Sequence, residues 1–168
     1  MPQEVNNSIS VNIIVPPLRM HQPTQGEGYM IVARDLLQGV EALSTLRSIS
    51  PRACALIAAH ALECALKAFL WHRGKKTEIR DRKVQHDIAT LWDMAYKEKT
   101  LGIPETPPDW VEILGWGHRP NFYFRYQEGE KDKGGNKTIV HGGQTPALIP
   151  MAVELSKLVE MVQHTIKG

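Results

Sequence analysis

Between Pro51 and Gly74 the chain reads PRACALIAAHALECALKAFLWHRG, apolar almost all the way round a helix. A segment greasy on every face belongs at the centre of a bundle rather than on its surface. Ser50 followed by Pro51 suits a helix start, and Gly74 suits a stop. Three flanking segments carry one-sided periodicity instead. Tyr29, Ala33, Leu36, Val40 and Leu43 recur at alternating steps of four and three, which predicts a helix over 28–47. Ile88, Leu91, Trp92 and Ala95 give the apolar face of a helix that opens near His86-Asp87 and runs to about Lys99. Leu148, Ala152, Leu155, Val159, Val162 and Ile166 form a bundle seam in the last helix. Pro150 leaves the start of that helix open, because proline is comfortable only in a first turn.

Other stretches break this pattern. Ile9, Val11 and Ile13 alternate with Ser8, Ser10 and Asn12 as a strand would, and Pro16, Pro17, Pro23, Gly26 and Gly28 follow. Residues 1–27 are therefore read as an extended arm, and 28–168 as the folded domain. Residues 100–121 are rich in proline and glycine, with a short helix expected from Pro108 to Leu114. Phe122–Gln127 (FYFRYQ) is aromatic and strand-like. With Gly134-Gly135 in the following turn and Thr138–His141 beyond, it suggests a β-hairpin. The expected fold is all-α: an up-and-down bundle of four to five helices, with a β-hairpin insertion before the last one.

Composition narrows the function little. The 168 residues carry 23% charged and 42% hydrophobic residues and a net charge of +2, too small to argue for nucleic acid alone. Cys54 and Cys64 lie in one helix but not on one face, and no Cys/His spacing of metal type is present. Packed, reduced thiols, a cytoplasmic location, no cofactor and no metal are the expectation. No secretory leader is expected, since no basic start precedes an apolar core. His60, Glu63 and Lys67 interrupt the apolar run of the central helix, which reads as too short and too polar to span a bilayer.

Those three residues share a stripe about 60° wide on the helical wheel, extended by Arg52 and Trp71. Glu63 and Lys67 have the favourable i,i+4 order. The plainer reading, and the preferred one, is a narrow solvated stripe. The sharper reading is a polar groove between helices that holds a phosphate or a base. His86-Asp87 reads first as a helix cap and second as a phosphate site beside the basic loop 73–83. Arg125-Tyr126 lies in an aromatic run, where stacking on bases competes with plain core cover. Arg80 and His86, with five residues between them, fit a phosphate-holding arginine and a proton-moving histidine, a spacing that chance also produces.

The segments AAHALECALKAFLWHRG, HDIATLW and FRYQ together resemble the HEPN superfamily of small helical bundles. In that family a long second helix carries a glutamate and a lysine four apart, as Glu63 and Lys67 are. A histidine-aspartate pair opens the next helix, as His86-Asp87 does. The resemblance covers about residues 28–167 and implies one of two activities. Many members are metal-independent RNases, often toxins or antiviral factors, that dimerise around an arginine–histidine motif; Arg80 and His86 match its text. His86, however, already fills the place of the helix-opening histidine, and no histidine follows Arg119 or Arg125 at the required spacing. The resemblance therefore implies the non-catalytic branch: a homodimeric binding or accessory module for nucleotide or RNA, in stress, toxin–antitoxin or phage-defence systems. Its expected ligand-binding cluster is Glu63, Lys67, His86, Asp87, Arg125 and Tyr126. A metal-independent ribonuclease using Arg80 and His86 is the alternative. A purely structural module that pairs with a second protein from a neighbouring gene is the third reading.

Overall fold

A computed structural model describes residues 22–46, 48, 50–118 and 145–168. Among these residues the fold is helical throughout. Five α-helices run in the order α1 (Gln25–Ser44), α2 (Pro51–His72), α3 (Ile88–Lys97), α4 (Asp109–His118) and α5 (Leu148–Lys167), with one 3-10 turn at Glu78–Arg80. The all-helical bundle expected from the periodicity is present. The expected strand at 9–13 and hairpin at 122–141 lie outside the described residues.

The central helix is α2. It packs against α1, α3, α4 and α5, which is why its apolar residues extend round the whole cylinder. Ala55, Ala58, Ala59, Ala61 and Ala65 are fully buried, as are Leu62, Leu66, Phe69 and Leu70. The small alanines permit close neighbours, while the large side chains fill the space between them. By length and composition α2 can cross a membrane, contrary to the reading of its apolar run as too short and too polar. Yet 78% of its most apolar window is buried inside the bundle.

Helix α1 begins three residues earlier than its seam predicts, because Thr24 and Glu27 form a capping box. The Thr24 hydroxyl accepts from the Glu27 amide, and the Glu27 carboxylate accepts from the Thr24 amide at 2.6 Å. Its buried face is centred on Met30, Ala33, Leu37 and Val40, a slight rotation from the expected seam. Tyr29, Leu36 and Leu43 pack at the edge of that face. Where α1 meets the end of α2, a Cβ on Gly26 would lie 2.3 Å from the Trp71 ring, so the approach requires glycine. At the start of α3, Asp87 Oδ1 accepts from the amides of Ala89 and Thr90 at 3.1 and 3.3 Å. Helix α4 reaches His118, four residues past its expected end. It packs on α3 where Gly115 faces Ile88. Pro150 is the third residue of α5, still within the first turn.

Candidate functional site

Residues His60, Glu63 and Lys67 project from one face of α2. The segment entering α3 crosses that face, and α4 ends over it. The stripe is therefore covered, and the solvated reading is wrong: Glu63 is 2% exposed and Lys67 5%. Burial of two charges demands partners, and these are present. Lys67 Nζ donates to Glu63 Oε1 at 2.5 Å. His118, at the last position of α4 and 1% exposed, places Nε2 2.5 Å from Glu63 Oε2. His86 Nδ1 lies 3.2 Å from the same oxygen, and its side chain is 41% exposed. The Lys67 ammonium also sits 5.5 Å from the Tyr29 ring centre, which links α1 to the cluster.

Burial by itself raises the Glu63 carboxyl, but its partners outweigh that effect. Hydrogen bonds from His118 and Lys67, the Lys67 charge and a hydrogen bond from His86 hold it at about 2. Glu63 is thus an anion at neutral pH and accepts from all three neighbours. It follows that His118 carries its proton on Nε2 and His86 on Nδ1. The rings of His60 and His86 each stand edge-on to His118, with centroids 6.2 Å apart in both pairs. The second nitrogen of His118, Nδ1, is buried and has no hydrogen-bond partner among the described residues.

One turn beyond Lys67 the stripe continues to Trp71. Lys76 Nζ and the Arg80 guanidinium each lie 5.2 Å from its ring centre. Arg80 also hydrogen-bonds the side chain of Gln25 at the start of α1. Arg80 and His86 thus have different partners: Arg80 stays with Trp71 and Gln25, whereas His86 turns to Glu63.

The structure brings together Glu63, Lys67 and His86 of the expected cluster. Asp87 is adjacent but caps α3. Arg125 and Tyr126 lie outside the described residues. Sequence reasoning missed His118 altogether. It is fifty-five positions from Glu63, and its only local mark is a histidine in the last turn of a short helix.

No family model, curated protein or solved structure matches this chain.

Proposed function

We propose that this chain is a HEPN-like binding or accessory module that takes the phosphate and base of RNA or a nucleotide along the α2 stripe. The carrying observation is the buried Glu63 carboxylate ringed by three basic side chains, of which His86 reaches the surface. Lys76 and Arg80, stacked on Trp71, extend the same stripe with positive charge beside an aromatic ring. Cations hold phosphates in any sequence context, and aromatic faces accept bases. Asp87 is engaged in capping, and Glu63 is locked as an acceptor; neither is arranged as a nucleophile. The homodimer and the stress or phage-defence setting rest on the resemblance.

The test is fluorescence anisotropy with a labelled single-stranded RNA and with labelled ATP. Salt-sensitive binding that weakens severalfold in Arg80→Ala and His86→Ala, with unchanged helicity, is the expected result. Absence of binding at low salt overturns it and leaves the protein–protein module.

One observation favours the ribonuclease reading. His86 is held through Nδ1 by a buried carboxylate while its ring meets solvent, the arrangement of an oriented general acid or base. RNA incubated in EDTA with wild-type and His86→Ala protein decides: cleavage by the wild type alone supports the enzyme.

A further inference from the structure

The same cluster gathers a second chemistry. One ring nitrogen of His60, one of His118 and a carboxylate oxygen of Glu63 all lie within 4.8 Å of one another, the one such group of ligand atoms among the described residues. We propose that His60, Glu63 and His118 form a binding site for a borderline transition-metal cation such as Zn2+.

Three observations support it. The donors come from two helices: His60 and Glu63 are one turn apart on α2, and His118 closes the set from the end of α4. Helix packing therefore fixes their separation. A tetrahedral ion with bonds of about 2.0–2.1 Å wants its donors about 3.3 Å apart, so a pair at the 4.8 Å limit must close by about 1.5 Å, and the 2.5 Å contact of His118 Nε2 with Glu63 must open if that nitrogen is the ligand. His60 is the least buried of the three donors. Second, His118 is an incompletely satisfied buried ring, since Nδ1 has no partner among the described residues. A buried polar atom left in that state is costly, so the ring is not fully satisfied by the partners it has. Third, the donor set itself selects the metal. Two imidazoles and one carboxylate suit zinc, cobalt or nickel, whereas magnesium and calcium want oxygen alone. His86 stays outside this set and holds Glu63 Oε2 at 3.2 Å.

Lys67 shapes the site rather than blocking it. Its ammonium engages Oε1, so Oε2 is the oxygen turned to the histidines. The site departs from the sequence expectation of no metal because its donors are not clustered in the chain.

Tag-free, metal-stripped protein is dialysed against Zn2+ at neutral pH, with Co2+ as a visible probe. The expected result is one ion per chain and a Co2+ spectrum of low-coordinate, nitrogen-rich type. Affinity should fall at least about tenfold in His60→Ala and in His118→Gln, and stay unchanged in His164→Ala, a histidine on the exposed side of α5. If His118→Gln fails to fold, His60→Ala still decides, because His60 lies at the cluster's edge. No uptake by the wild type, or His60→Ala binding as tightly as wild type, overturns the site.

Discussion

Among the described residues, Glu63 is the buried carboxylate whose folded state most favours the ionised form. Its carboxyl is held at about 2 in the fold, against an ordinary value of 4.5. A depressed folded pKa gives stability that is fully present above the unfolded value and is lost as pH falls through the folded one. The window is therefore between about pH 4.5 and pH 2. The shift corresponds to roughly 3 kcal/mol. Urea unfolding from pH 7 to pH 2.5 should show this loss, and Glu63→Gln should flatten it. Removing the carboxylate outright is harsher. Glu63→Ala leaves the Lys67 ammonium buried without its anion, at an expected cost of about 3–5 kcal/mol. Thermal melts of this variant beside Lys67→Met check the point, since the latter leaves Glu63 with both histidines. The neighbouring thiol behaves oppositely. Burial and the Glu63 charge, opposed only in part by Lys67, push Cys64 up to about 12; burial also raises Cys54. Neither thiol should react with a disulfide reagent at pH 8 in the native state, and both should react on unfolding.

Among the elements, α2 was the most legible in the sequence, and its boundaries agree with the structure at both ends. An all-round apolar pattern with a proline start and a glycine stop admits few other readings. The start of α1 is also written in the chain, as Thr24 and Glu27 at capping-box spacing, but the glycines at 26 and 28 read as helix breakers. Gly26 is there for another reason: it lets α1 close on Trp71. Gly26→Ala should cost about 1–3 kcal/mol by forcing that ring aside, measurable in a urea melt. At the other end of the site, Asp87→Ala should cost about 1 kcal/mol and fray the first turn of α3. Because His86 precedes this cap, hydrogen exchange at Ala89 and Thr90 and RNA affinity should change together if the cap positions His86.

For the molecule as a whole, the hidden part of the site was its cover. Helical spacing placed His60, Glu63 and Lys67 on one stripe, but only tertiary packing decides whether a stripe meets water or another helix. The Pro/Gly-rich stretch before α4 gave no sign that its last histidine would return to α2, since contacts between distant segments leave no local pattern. The account's central claim is that one ionised, buried carboxylate organises α2, α4 and the entry to α3. Long-range nitrogen-15 NMR of the imidazoles, on metal-stripped protein in EDTA at neutral pH, tests it most directly. The prediction is a slowly exchanging proton on His118 Nε2 and a proton on His86 Nδ1, both shifted in Glu63→Gln. A His118 ring protonated on Nδ1 alone, or one exchanging freely with solvent, would contradict the account.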